Sequence, residues 1–594
     1  MILLQKILKS NWFFGIVLLL IGFIYFQNSD KEFGWTNKKH FHNFSVKADG
    51  SGYYAYLPEL FYYQDDYNFL KEKIQPKYPN EGFDYFTIPD GKGGFTNKCY
   101  AGPAVVLSPF FACAHIHAAS IGEDTDGYSW PYHLWLSIGC IVVALFGFIG
   151  LRKLLLNLGL SHVTVLFTVF SLALATNLKY YSTIEMPMAH VFSFAMNSWA
   201  LYFALKWLKT KTFKSLIFTA LFLGLCFIIR PTNLLICLMI PFMVSSKDFV
   251  SAFVSDLKNK RIFLVFLLFL AVISIQFINI YEQTGKFGYN IYEGESFKFL
   301  SSPYIYELLL GFNRGLLIYC WIFGLAAIGL VYLFFKNRRM FYGVGLTFSV
   351  TLYLMASWWS WWYGGAFGMR ALVDYFPIYF LPAAYLFDAS NKWLKLAYIA
   401  FLGLSINVYA IMEYQYKNSI LTYELYSDEH FKRSFLHTEN RYIYSQYFKL
   451  DSIPNQYANE KLFQSSVLRK FGFDKKDKVY NWYEGQMYLP VFKVFSDSTL
   501  DRKIVGNYSF DVHFTIRDEF LELHEYFFKN GKEIKKNQYS YGCLIEKENE
   551  WNRISIPIYP DLKWNEVDSI VFIQYSHHHS DRFRNLDLKL NKKD

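Results

Sequence analysis

Up to about residue 415 the chain is a succession of apolar runs, each near the ~20 residues a helix needs to cross hydrocarbon. The first is Trp12–Phe26. Others follow at approximately 131–151, 161–178, 187–206, 213–229, 231–246, 262–281, 313–335, 340–357, 371–388 and 393–412. A chain with this many such runs must place them in a bilayer. Beyond residue 415 the composition turns polar, so two regions are expected: a polytopic transmembrane part over 1–415 and a soluble domain over 416–594. The whole chain is 53% hydrophobic and 21% aromatic but only 18% charged, below the roughly 25% of soluble domains.

The formal charge of +10 is dispersed. Much of the surplus sits in short loops between apolar runs, which sets membrane orientation and argues against nucleic acid as a partner. Eleven spans put LRKLLLN, KWLKTKTFK, SSKDFVSAFVSDLKNKR, KNRR and SNK on one side, and each of these is basic. That side is then cytoplasmic. A further apolar stretch, Pro103–Ser120, holds His115 and His117; counted as a span it would send the later basic loops outside, so a re-entrant or interfacial element is expected there. Lys6 and Lys9 precede the first run with no small-x-small cleavage site after it. The run reads as an uncleaved first span with a cytoplasmic start. The soluble tail then lies outside.

Seven cysteines are scattered, mostly within apolar segments, with no C-x-x-C spacing. Neither a disulfide framework nor a zinc site is indicated. The tract HHHSD at His577–Asp581 is either a metal tract or a solvated loop.

Nearly every unusual polar residue of the membrane part falls on the outer side. Asp49 opens DGSGYYAYLPEL, in which Tyr53, Tyr56, Leu57, Leu60 and Phe61 recur at helical spacing. This predicts a short helix lying in the interface with one apolar stripe. Asp49 ahead of it is either the helix N-cap or a carboxylate held where a lipid-linked substrate presents its headgroup. Lys98 is either a snorkelling anchor or a phosphate partner. Asp126, before Gly127, fits a turn. Glu185 and His190 flank the start of the fourth span, where a histidine needs a cavity or a packing partner. Arg230, ahead of Pro231, offers a planar fork for phosphate or carboxylate, or an interfacial anchor. In WWSWWYGGAFGMRALVDYFP, Trp362 and Tyr363 give ring faces suited to sugars. Gly364, Gly365 and Gly368 let backbone approach a ligand, and Arg370 and Asp374 either pair with each other or face a phosphate.

Taken in order, ADGSGYYAYLPEL, NKCYAGPAVVLSPFF, DGYSWPY, EMPMAHVFSF, IIRPTNLL, QFINIYEQTGKFGYN, GFNRGLL and WWYGGAFGMRALVDYFP resemble the GT-C class of membrane glycosyltransferases. This class of polyprenyl-phosphate-sugar transferases includes protein mannosyltransferases and lipid A aminoarabinose transferases. The resemblance covers about residues 1–415 and is nearest to bacterial members with unassigned acceptors. It implies a GT-C-like α-helical polytopic fold with interfacial helices in the first outer loop, in a bacterial inner membrane. It also implies Asp49 as general base, Lys98, Arg230 and Arg370 as candidates for the donor phosphate, and Asp126, Glu185, His190, Asp374, Trp362 and Tyr363 as substrate-binding residues or second acids. The donor would be a polyprenyl-phosphate sugar and the acceptor a glycan, lipid or protein. Several relatives hold a divalent metal through a second acid just before the lysine. Here that place reads Thr96-Asn97-Lys98, which puts a metal in doubt.

In the tail, Tyr508, Phe510, Val512, Phe514 and Ile516 alternate, as do Ile554, Ile556 and Ile558, and Leu586, Leu588 and Leu590. Period-two patterning predicts half-buried strands and a small β-sandwich, with Pro557 marking an edge strand. Such a domain either binds a glycan or protein acceptor or serves packing, since fold does not fix function. Two other activities are alternatives: a lipid-linked glycan transporter or flippase, and a surface-glycan polymerase or ligase, which the same outer-face cavity would serve. A transporter favours pseudo-repeats and polar groups near the bilayer midplane, whereas here the polar residues gather at one face.

Overall fold

The computed structural model describes residues 10–35, 45–64, 67–78, 86–89, 95–257, 261–287, 295–418, 420–421, 431–432, 434–438, 463–464, 480–481, 488–495, 501, 503–513, 522–530, 532–540, 551–558, 562–575 and 582–590. The tract His577–Asp581 and the strand positions Phe514 and Ile516 lie outside them. The chain divides into two compact units, Met1–Ala410 and Ile411–Asp594.

The first unit is helical. α1 (Asn11–Phe33) starts where the Ser10 hydroxyl accepts from Phe13 N–H, and it stops at Gly34, whose φ of 69° closes the C-terminus. α2 (Asp49–Pro58) is followed by the short hairpin of β1 (Thr87–Pro89) and β2 (Phe95–Asn97). α3 (Gly102–Ile121) has Pro103 in its first turn, a position that needs no N–H donor, and ends at Gly122. Then come α4 (Trp130–Asn157), α5 (His162–Leu174), α6 (Ala189–Thr210), α7 (Phe213–Ile229), α8 (Ser246–Leu257), α9 (Ile262–Thr284), α10 (Gly324–Lys336), α11 (Arg338–Ala356) and α12 (Lys392–Lys417). The core is centred on α6, which packs between α4 and α7 and is buried at almost every position from Ala189 to Leu201. Close packing of α4 on α6 needs Gly147, where a Cβ would sit 2.9 Å from the Ala195 backbone.

Five helices, α1, α3, α4, α9 and α12, are long and apolar enough to cross a membrane, and with them this is an integral membrane protein. Several of the eleven expected spans take other forms, for visible reasons. Pro231 and Pro241 turn the run at 231–246 into 3-10 helix, which bends by 115° into α8. The run at 371–388 is split around Pro377 and Pro382 into Arg370–Tyr375, Phe376–Tyr379 and Leu381–Ala389. The stretch expected to be a re-entrant or interfacial element, 103–120, forms one unbroken 20-residue helix, α3, among the five long and apolar enough to span. Pro109 does not interrupt it. The helix after Asp49 also differs from expectation. It does not lie on a surface with one apolar stripe: Gly50 through Pro58 are all buried, and the exposed apolar residues, Leu60 and Phe61, come only after it.

The second unit carries two antiparallel sheets. One orders β3 (Tyr488–Phe495), β8 (Ser569–Tyr575), β5 (Glu522–Lys529) and β6 (Lys532–Ser540). The other orders the two-residue strand Phe463–Gln464, then β9 (Arg582–Leu590), β4 (Gly506–His513) and β7 (Trp551–Ile558), with Tyr480–Asn481 also on β9. Tyr508, Phe510 and Val512 of β4 and Ile554, Ile556 and Ile558 of β7 are buried, which is the alternation the sequence predicts. Tyr508 stacks on Phe572 of the facing sheet at 6.5 Å, so the two sheets form a sandwich. Pro557 lies on β7, the terminal strand of its sheet among the described residues, in keeping with the expected edge position.

Candidate active site

Ala48 fixes the approach to Asp49. It adopts φ 45°, ψ −131°, a conformation L residues rarely take, and it is the residue preceding α2. Asp49 is therefore the first helical residue and not the N-cap, and no side chain caps this helix. Val46 bridges Met186 in parallel, and Gly50 packs so tightly on that segment that a Cβ would fall 2.9 Å from Met186 O. These contacts set the start of α2 against the Glu185–Pro187 loop. The Asp49 carboxylate is left to face Arg370, whose Nη2 donates to Asp49 Oδ2 at 2.7 Å. Among the described residues Asp49 Oδ1 accepts no hydrogen bond, and the side chain stays 28% exposed.

Arg370 opens the 3-10 turn Arg370–Tyr375 and also lies 4.0 Å from Glu185 Oε1. Burial pushes the Glu185 carboxyl up to about 7, with the Arg370 charge pulling the other way and Asp49 pushing with it. A carboxyl raised in the folded state contributes stability that is intact below its ordinary value of 4.5 and lost as the pH climbs through about 7. Glu185→Gln cannot ionise. Its thermal midpoint in detergent is expected to gain on the wild type as pH rises across that window, and a constant difference from about pH 4.5 to 8 contradicts the assignment.

The second cation arrives on β2 and the loop after it. Lys98 Nζ pairs with Glu295 Oε1 at 3.1 Å, both side chains 20% exposed. Asn97 is structural: its Nδ2 donates to Gly52 O (2.8 Å), its Oδ1 accepts from Cys99 N–H (2.9 Å), and its own N–H donates to Gln283 (2.7 Å). At the position before Lys98 this chain has an amide whose bonds go to its own backbone. Among the described residues no three His, Cys, Asp or Glu side chains are grouped to hold an ion. These residues do not fit a divalent metal.

The third cation, Arg230, ends α7 because Pro231 follows it. Its Nη1 donates to Asp374 Oδ2 (3.2 Å), while His190 Nδ1 lies 2.8 Å from Asp374 Oδ1. Asp374 is buried, and its backbone oxygen accepts from Asn197 Nδ2 at 2.8 Å. His190 and Asp374 thus stand behind Arg230 and orient it.

Asp49, Lys98, Arg230 and Arg370 line one cavity of about 290 Å³ with Glu295. Tyr53, Phe297, Trp358, Trp359 and Tyr363 supply its aromatic wall. Sequence positions as far apart as 49 and 370 converge here. Glu185, His190 and Asp374 stand behind the lining cations rather than on the wall, and two other expected residues lie away from it. Trp362 lies outside the cavity wall and is partly exposed, packing edge-on against Trp361. Asp126 anchors a loop: its carboxylate accepts from Lys77 (2.6 Å), Tyr78 (2.9 Å) and the N–H groups of Tyr128 and Ser129. Burial alone would raise that carboxyl, but the Lys77, Tyr128 and Tyr78 hydrogen bonds hold it below the usual carboxylate range. Its bonds to the Tyr128 and Ser129 N–H groups close the turn. Glu295 and Phe297 were not singled out by sequence, and Trp358 and Trp359 only as part of the WWSWW run. Glu295 carries no local motif.

No protein-family model matches the chain, and no curated protein matches it. A search of solved structures finds a similarity to the arabinosyltransferase EmbB from Mycobacterium smegmatis at 8% identity and a TM-score of 0.34, covering 92% of this chain. The match takes in 62% of that protein's chain. A similarity at this level assigns no residue, so function has to be read from the cavity itself.

Proposed function

We propose that this protein is an integral-membrane, inverting glycosyltransferase of the GT-C type. It moves one sugar from a polyprenyl-phosphate donor to a glycan, lipid or protein acceptor on the extracytoplasmic face, with Asp49 as general base. The observation that carries this reading is one aromatic-walled cavity holding three cations and the Asp49 carboxylate, one oxygen of which accepts no hydrogen bond among the described residues. The acceptor O–H gives its proton to Asp49 Oδ1 as its oxygen forms a bond to the anomeric carbon. The bond from that carbon to the phosphate oxygen breaks on the opposite face, and polyprenyl phosphate leaves with the electron pair. The phosphodiester becomes a monoester and gains negative charge as it departs. Lys98, Arg230 and Arg370 are the groups that answer that charge, already in position before the reaction. Tyr53, Trp358 and Trp359 offer ring faces to a sugar.

The test offers purified full-length protein, in lipid nanodiscs, a panel of polyprenyl-phosphate sugars with membrane extract as acceptor. Release of free polyprenyl phosphate is the expected result. In proteoliposomes, movement of intact donor across the bilayer without release overturns the reading in favour of a transporter. A charged hydrogen bond to phosphate contributes about 1.5–3 kcal/mol. Lys98→Met is accordingly expected to raise the donor KM about tenfold to a hundredfold; an unchanged KM removes Lys98 from the phosphate site.

A further inference from the structure

A second cavity, of about 400 Å³, lies at the other end of α6 and α7. Arg230 marks the C-terminus of α7, whereas this cavity is lined from its N-terminal half by Leu216, Thr219, Ala220 and Leu223. At 1.5 Å rise per residue, Leu223 and Leu216 lie about 10 and 20 Å along α7 from Arg230, so the two cavities are separate. Trp207 of α6, Phe249 and Phe253 of α8, and Val265, Phe266 and Phe269 of α9 close the remaining sides.

Its wall is mostly apolar, and its polar members include Asp256, Trp207 and Thr219. Trp207 Nε1 donates to Asp256 Oδ2 at 2.6 Å, and Thr219 Oγ1 donates to Ser215 O at 2.9 Å. The wall offers little to a polar ligand and much to a hydrocarbon chain. Access is from the lipid side: Val250, Phe253 and Val254 on α8 and Phe263, Leu264 and Phe266 on α9 are exposed. The rim is basic. Lys211 Nζ reaches α8 and donates to Ser251 Oγ at 2.7 Å, between the lining residues Phe249 and Phe253. Lys214 is exposed two residues before the lining Leu216, and Lys247 is exposed two before Phe249. A lysine ammonium is a point charge suited to a phosphate, and clustered lysines at a membrane surface favour anionic headgroups.

We propose that this cavity binds one acyl chain of an anionic glycerophospholipid, whose headgroup phosphate is held by Lys211 and Lys214. The site is separate from the catalytic cavity and does not depend on the glycosyltransferase reading.

The test loads full-length protein with phosphatidylglycerol or phosphatidylcholine and counts lipid retained after detergent exchange, by native mass spectrometry. Wild type is expected to keep one phosphatidylglycerol and to release phosphatidylcholine. Ala220→Trp, which fills the cavity, and Lys211→Glu with Lys214→Glu, at exposed positions, are each expected to lower retention about tenfold or more. Equal retention of both lipids overturns the headgroup assignment. Loss only in the lysine variant overturns the cavity assignment, and retention unchanged by both variants overturns the site. If Ala220→Trp aggregates, the lysine variant and the comparison of the two lipids decide.

Discussion

Asp49→Asn is expected to lower sugar transfer by about a hundredfold to ten-thousandfold, the range a positioned general base contributes. The substitution keeps size and shape, and its amide oxygen still accepts from Arg370 Nη2, which sits 2.7 Å from Asp49 Oδ2. Arg370 also keeps Glu185 at 4.0 Å, so a carboxylate remains beside the guanidinium and the cavity holds its form. What is lost is the basic oxygen that faces the cavity. Removing the Asp49 charge also takes away one of the influences that raise the Glu185 carboxyl. The readout that separates base from scaffold is the division between kcat and donor KM. A collapse in kcat with donor KM near the wild-type value fits a base. A large rise in KM with kcat unchanged assigns Asp49 to holding Arg370 instead.

Asp374→Ala is expected to cost about 3–5 kcal/mol of stability, the penalty for stripping one partner from a buried ion pair. Asp374 is 1% exposed and serves Arg230 on one carboxylate oxygen and His190 on the other. Alanine leaves the arginine and the histidine facing each other, with Nη1 and Nδ1 already 3.3 Å apart and no anion between them. Against a total stability of about 5–15 kcal/mol, that loss lowers the thermal midpoint in detergent clearly. Asp374→Asn keeps a hydrogen-bonding oxygen and is expected to lose less. Arg230, no longer steered, also leaves the donor less well held, so donor KM rises in both variants. An unchanged midpoint in Asp374→Ala contradicts the orienting role given to the His190–Asp374 pair.

Much of the cavity was legible in sequence because its residues interrupt apolar runs. A charge such as Arg230 or Asp374 inside or beside a membrane segment needs a reason, and that need singles it out without an alignment. Local sequence left the pairings open. Arg370 and Asp374 sit four apart, which invites an i,i+4 pair, yet the turn is 3-10 and each finds a distant partner: Asp49 for one, Arg230 and His190 for the other. Asp49 looked like a helix cap because it precedes glycines and a helical stripe, but the chain turns one residue earlier, at Ala48. Glu295 was not legible at all. Its role comes from a contact with Lys98 across 197 positions, and nothing in ESFKF marks it. The proline-split segments explain why hydropathy overcounts continuous spans. Hydropathy registers apolar content, while Pro231, Pro241, Pro377 and Pro382 decide where helix geometry fails. In the β unit the period-two pattern translated directly into buried faces, since alternation fixes which side of a strand meets the core.

The most direct test of the central claim is a cryo-EM structure of the full-length Asp49→Asn protein in nanodiscs, loaded with the polyprenyl-phosphate sugar that the wild type turns over. The account predicts the donor phosphate in the cavity within hydrogen-bond distance of Arg230, Arg370 or Lys98, with the anomeric carbon facing residue 49 across the space for an acceptor hydroxyl. A donor phosphate bound elsewhere, or a sugar pointing away from residue 49, contradicts it.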